Sequence, residues 1–222
     1  VTYNFSQEIV GYLEKPLLRV LPEGERALFY TGVTDKFFIY LQVAVIAAAV
    51  LVSPWLLYEI WKFIAPGLHA HERRFVAPFI LLGTVSFVIG AAFAFYVVIP
   101  YGYEFLIHFG SPAEKPIITL TEYFSLTLKL MALLGLTFEL PAIFLLLGKM
   151  GLVDGPMLAR FRRHALVGSS VAAAVLTPTP DAFTMLLVMV PLYALYEISI
   201  VAVKWAVPRR KAEEAPAERE PT

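Results

Sequence analysis

The chain has 222 residues, of which 59% are hydrophobic and 16% charged, with a formal net charge of zero and no cysteine. Its mean hydropathy is +0.70. Several uncharged runs of about 20 residues are incompatible with a soluble domain and define a polytopic α-helical membrane protein. The balanced charge argues against a nucleic-acid partner, which would leave a basic footprint. Without thiols there is neither a disulfide framework nor a thiolate metal site.

The first eight residues, V-T-Y-N-F-S-Q-E, lack the basic start and short apolar core of a signal peptide. Residues 5–21 place Ile9, Val10, Leu13, Leu17, Leu18 and Leu21 at helical spacing with charges between them. This predicts a short amphipathic helix broken at Pro16, lying on the surface, and a turn at Pro22-Glu23-Gly24. The first span is expected at 36–58, with 21 uncharged residues over 37–57 and Pro54 near its far end.

A short polar break, residues 59–74 (E-I-W-K-F-I-A-P-G-L-H-A-H-E-R-R), precedes the second span. A break that short between two membrane-length runs must meet one bilayer surface. The second span is expected at 75–103, ending near Pro100. Its 29 uncharged residues would reach about 43 Å against the ~30 Å hydrocarbon core, so it must tilt or project. A turn-rich loop, G-S-P-A-E-K-P, follows. The third span, 121–147, carries Lys129 and Glu139, and 148–164 reads as a loop. The last two spans, 165–178 and 182–203, are short; T-P-T-P-D closes the first, and Pro191 and Glu197 interrupt the second. Residues 1–207 form one transmembrane helical domain, with an extracytoplasmic segment at 1–35. The charged, Pro- and Ala-rich tail 208–222 is expected to be disordered.

Cations orient these five spans. Lys62, Arg73, Arg74, Lys149, Arg160, Arg162, Arg163, Lys204, Arg209, Arg210, Lys211 and Arg219 fall on one side, twelve in all. Lys15, Arg19, Arg26, Lys36 and Lys115 make five on the other. The loop at 59–74 and the C-terminus are therefore expected in the cytoplasm and residues 1–36 outside. An outside start with no signal peptide is expected to follow a further N-terminal span.

Glu139 lies ten residues before Lys149, hence about 15 Å from the cytoplasmic end and near mid-membrane. A carboxylate there costs at least ~2.5–3.5 kcal/mol on insertion scales, so it is expected to face a partner or a wet cavity. The alternative is a carboxylate satisfied by a buried hydroxyl such as that of Thr137 or a tyrosine. Pro141 removes a backbone donor and disturbs the helix beside it. Lys129, about 15 Å away along the helix, is expected to snorkel outward. Glu197 is placed at the interface or buried. Asp181 is expected to cap the last helix. Glu72 is an interfacial carboxylate suited to pairing with a guanidinium fork; its alternative is a local salt bridge to Arg73 or Arg74. No acid/base pair, nucleophile or metal constellation emerges, so no catalytic residue, cofactor or metal is expected and the chain does not read as an enzyme.

F-I-A-P-G-L-H-A-H-E-R-R (63–74), G-L-T-F-E-L-P (135–141), L-T-P-T-P-D (176–181) and Y-E-I (196–198) occur in this order. The chain thereby resembles TatC, the multispanning core of the twin-arginine protein translocase, over nearly its whole length except the tail. The resemblance implies six spans with both ends cytoplasmic, a glove-like concave bundle of which five spans are present here, and residence in the bacterial cytoplasmic membrane. It also implies that an N-terminal segment supplying part of the signal-peptide site lies outside this chain. It assigns Glu72 to contact the arginine pair of twin-arginine signal peptides on folded precursors, with Phe63, Pro66 and Arg74 shaping the same loop. Glu139 would match an intramembrane glutamate on the concave side. The turn at 176–181, with Asp181, Thr184 and Met185, would lie where single-span TatA- and TatB-type partners dock. Many members carry a glutamine where this chain has Met185. Function would then be signal-peptide recognition and scaffolding of an oligomeric translocation site in the lipid bilayer, coupled to the proton-motive force. The competing reading is a proton-coupled secondary transporter with Glu139 as relay, but the span lengths show no paired repeat.

Overall fold

The structure, a computed structural model, describes residues 5–21, 28–64, 76–109, 117–177 and 181–206. It is an all-α polytopic bundle. Four stretches are long and apolar enough to cross a membrane: Asp35–Ile60, Ala77–His108, Leu120–Lys149 and Ala182–Ala206. The elements are α1 (Ser6–Leu13), α2 (Lys15–Val20), α3 (Asp35–Ile64), α4 (Val76–Phe93), a π-helical turn (Ala94–Val98), α5 (Ile99–His108), α6 (Leu120–Phe138), α7 (Leu140–Lys149), α8 (Gly155–Arg160), α9 (Arg162–Leu176) and α10 (Ala182–Ala206).

Three prolines in the long helices are accommodated in three different ways. Pro54 inside α3 cannot donate to the carbonyl of Val50; the Ser53 hydroxyl donates to that oxygen instead, at 2.8 Å. Pro100 was expected to end the second span, yet the helix continues to His108. The π-turn just before it, with the Ile99 amide bonding back to Ala94, provides the wider loop in which a proline ring fits. Pro141 does divide its span. The α-helix stops at Phe138, Glu139 bonds back only three residues to Leu136, and Pro141 sits in the first turn of α7, where no amide is needed.

The core begins with α3, α4 and α6, which pack against one another, and α4 with α6 most extensively. Small residues set the approach. A Cβ on Gly90 would lie 2.5 Å from the Leu134 carbonyl oxygen and 2.9 Å from the Gly135 Cα, and one on Gly135 would lie 2.9 Å from the Phe87 ring. The two backbones therefore touch, as small residues permit between membrane helices. Around this crossing, α10 packs against α7 and α9 and reaches α5.

Residues 5–21 are not a surface helix. Val10, Leu13, Leu17 and Leu21 are all buried in the main core, with α1 against α3 and α2 against α5. The apolar spacing had identified the correct face, but a face that continuous is buried by the helix ends it meets. Tyr123, fully buried on α6, locks the break: its hydroxyl donates to the Leu13 carbonyl at the end of α1, at 2.5 Å. Burial pushes the Glu14 carboxyl in this break above its ordinary value, partly opposed by Lys36. Phe29 exchanges backbone bonds with Ile118 and Leu120, which pins residues 28–30 to the start of α6.

The other boundaries differ in instructive ways. α3 runs past 58 through Lys62, whose ammonium pairs with Glu59 at 3.6 Å. The loop expected at 148–164 contains α8. Asp154 caps it, accepting from the Met157 amide at 2.6 Å, and Pro156 occupies its first turn. Of the last two segments only α9 is short, at 15 residues, about 22 Å; α10 has 25. The turn at 22–24, the G-S-P-A-E-K-P loop and the tail lie outside the described residues.

The glycine crossing is testable. Gly90→Leu must push α4 off α6 and is expected to cost about 1–3 kcal/mol, read as a lower thermal midpoint in detergent. Gly168→Ala, on an exposed face with nothing within 4 Å of the new Cβ, is expected to hold or raise it. An unchanged midpoint for Gly90→Leu would refute the backbone contact.

Candidate functional site

Polar groups reach into this bundle at three depths. The end where α3 stops and α4 starts also receives the C-termini of α7 and α10 and the N-terminus of α9. Lys149 Nζ at the end of α7 lies 5.9 Å from the Phe79 ring centroid in the first turns of α4. α8 closes against α10 here: the Tyr196 hydroxyl donates to the Leu158 carbonyl at 2.7 Å, and the aliphatic stem of Lys204 covers Gly155, leaving no room for a Cβ. Glu197 projects from α10 toward α9. Arg162 Nη2 reaches its Oε2 at 2.7 Å, and the Tyr193 hydroxyl donates to its Oε1 at 2.8 Å. Both carboxylate oxygens are thus engaged at a half-buried site. Glu197 had been placed at either the interface or the interior, and its partner was missed. The signal was available: in a hairpin turning at 177–181, Arg162 stands about as far before the turn as Glu197 stands after it.

Deeper in the bundle, the break before Pro141 makes Glu139 the residue between α6 and α7. Its side chain is 7% exposed and rests on α4, where a Cβ on Gly83 would lie 2.8 Å from its Oε2 and 3.1 Å from Leu57 of α3. It therefore faces neighbouring helices and not lipid. Thr137 does not satisfy it, since that hydroxyl donates to the Leu133 carbonyl at 2.9 Å. Among the described residues Glu139 Oε1 has no hydrogen-bond partner. A carboxyl in this setting can hold a proton or accept a donor brought by another helix. Lys129 is exposed and plays no part.

At the far end, Asp181 caps α10 as expected. Its Oδ1 accepts from the Thr184 amide at 2.7 Å, and its Oδ2 accepts from the Thr184 hydroxyl. Thr184 is buried, and Met185 packs against the main core. Glu72, Pro66 and Arg74 lie outside the described residues, as does the side chain of Phe63.

A helical bundle with four membrane-length stretches, charged groups spent on joining helices and a buried carboxyl at a helix break defines a multi-pass membrane protein. A family model described as Sec-independent protein translocase protein (TatC) matches residues 1–191. Sec-independent protein translocase protein TatC of Magnetococcus marinus is 38% identical over 97% of this chain and 79% of its own. That of Desulforapulum autotrophicum is 35% identical over 92% and 75%, and that of Escherichia coli 34% over 88% and 75%. A crystal structure of the twin arginine translocase receptor TatC superposes with a TM-score of 0.81 at 33% identity, covering 92% of this chain and 89% of the other. The chain belongs to the TatC family of protein translocase components.

The α9–α10 clamp gives a second prediction. Arg162→Ala and Glu197→Ala are each expected to destabilise the protein, and their double-mutant cycle to give a coupling of about 0.5–1 kcal/mol for a partly exposed pair. Strictly additive losses of thermal stability would show that the pair contributes nothing.

Proposed function

We propose that this chain recognises twin-arginine signal peptides of folded precursor proteins and scaffolds assembly of the translocation site with TatA- and TatB-type subunits. Glu72 is the recognising carboxylate, with Phe63, Pro66 and Arg74 shaping its loop. The observation that carries the reading is the family match, which runs continuously through the 63–74 motif, together with the description of the solved relative as a translocase receptor. The physical argument is that an interfacial carboxylate binds a guanidinium pair through charge-assisted, bidentate bonds that an ammonium cannot reproduce.

The proposed setting is the bacterial cytoplasmic membrane, with the 65–75 connection and the C-terminus in the cytoplasm. The gathering of Lys62, Lys149, Arg160, Arg162 and Lys204 at helix ends on one side of the bundle supports it. Asp181, Thr184 and Met185 belong to the opposite end, where partner subunits would meet α10. Glu139 presents its unpaired oxygen as an intramembrane contact point for such a helix.

Glu72→Ala is expected to weaken binding of a twin-arginine precursor about 10- to 150-fold, the equivalent of about 1.5–3 kcal/mol, with insertion unchanged. Replacing the precursor arginines by lysines is expected to weaken wild-type binding and to matter much less to Glu72→Ala. Additive losses would mean that Glu72 and the arginines do not meet. For orientation, a cysteine at Ala113 is expected to react with an impermeant reagent from outside and one at Ala159 is not; the reverse pattern would overturn the topology.

A further inference from the structure

The far end of the bundle carries a polar cleft that neither the clamp nor the buried carboxyl uses. It has a volume of about 360 Å³ and lies between the α1–α2 break and the α4–α5 helix, lined by Tyr12, Lys15, Arg19, Tyr96, Tyr101 and Glu104 among others. Lys15 and Arg19 are four residues apart on α2, hence on one face. Lys15 Nζ sits 4.9 Å from the Tyr12 ring centroid, and the Tyr12 and Tyr96 hydroxyls are hydrogen-bonded to each other. Among the described residues no ion pair joins either cation to Glu104. Two cations against one carboxylate leave the cleft with a charge of +1.

Its depth says what kind of anion it meets. The last charges before α4 are at 72–74, so the hydrocarbon begins no earlier than residue 75. From Val76, the first residue of α4, Tyr96 then lies at most about 30 Å along the helix, or about 28 Å across the bilayer at a typical tilt. That is close to the thickness of the hydrocarbon core, which puts the cleft at headgroup level in the leaflet remote from the 65–75 connection. Exposed tyrosines at 96 and 101 fit the same depth. Toward the bilayer centre, Ile89 and Val85 lie two and three turns from Tyr96 on its side of α4, and both are about half exposed. They provide an apolar track below Tyr96, which lines the cleft.

We propose that this cleft is a binding site for an anionic phospholipid of the phosphatidylglycerol class. The phosphodiester sits between Lys15 and Arg19, the free headgroup hydroxyls donate to Glu104, and an acyl chain lies along Ile89 and Val85. The single negative charge neutralises the cleft. A zwitterionic head would leave it at +1. The leaflet concerned is the outer one if the proposed orientation holds; the site itself does not depend on it.

The test is native mass spectrometry of the purified full chain, delipidated and then offered phosphatidylglycerol, phosphatidylethanolamine or phosphatidylcholine of identical acyl chains. Phosphatidylglycerol is expected to be retained about tenfold more than either zwitterionic lipid. Lys15→Gln with Arg19→Gln is expected to abolish that preference with the thermal midpoint kept. Glu104→Gln, which leaves the cations unopposed, is expected to hold the preference for the anionic lipid. Soluble glycerol 3-phosphate is expected not to compete. Equal retention of phosphatidylethanolamine, loss of its retention in Glu104→Gln, competition by glycerol 3-phosphate, or an unchanged preference in the double variant would each overturn the assignment. Labelling at Ala113 and Ala159 reports the leaflet separately, so an inverted topology would not be mistaken for failure of the site.

Discussion

The backbone contact between α4 and α6 is the constraint on which the rest of the bundle depends. In a bilayer, apolar side chains gain little by leaving lipid for protein, so close packing of backbones carries much of the association. Gly90 against Leu134 and Gly135 brings the two helices within touching distance. That approach sets the height and rotation of Glu139, one turn beyond Gly135, and so delivers its carboxylate onto Gly83 and not into lipid. α3 closes the same site with Leu57. A side chain at 90 would therefore act on the buried carboxyl through geometry alone, whereas one at 83 would meet its Oε2 directly.

Prolines shape this scaffold through what stands next to them. Ser53 replaces the donor that Pro54 lacks, a π-turn absorbs Pro100, and a true break forms only before Pro141. The three share one chemical defect and end in three geometries, because each neighbourhood offers the freed carbonyl a different partner. The one unrepaired break is also the place where a charged residue enters the interior.

Much of this was legible in the residues. Uncharged runs located the spans, Asp181 at the end of the T-P-T-P-D turn announced the cap on α10, and the apolar spacing of residues 5–21 named the face that is buried. The failures have physical reasons. Local pattern says which face of α1 and α2 is apolar but not that the far end of the bundle is there to receive it. D-G-P at 154–156 is a helix-start signal, but the helix it opens has only six residues, too short for a periodic apolar pattern to stand out. Arg162 read as an anchor at the membrane surface because its partner is 35 residues away and only the hairpin brings them together. Continuation past Pro100 depends on a π-turn, which leaves no mark in composition. Glu139 reads as a carboxylate that must face a partner or a cavity, but its packing on Gly83 belongs to a pair of helices and not to either sequence alone.

The shallow anchoring of α9 has a mechanical consequence. Ala173 is its only fully buried residue, and it is held to α10 by small side chains, Ala165 beside Tyr196 and Ile200 and Ala172 and Ala173 in the main core, with the Arg162–Glu197 clamp at one end and a Ser170 hydroxyl near the Met189 sulfur at 3.0 Å midway. Its outward face, with Val167, Val171 and Val175 exposed, is traded readily between protein and lipid. α9 is thus a panel hung from one edge: swinging its free edge breaks few contacts and leaves α3, α4 and α6 undisturbed. A bundle loaded from its side would yield there before anywhere else.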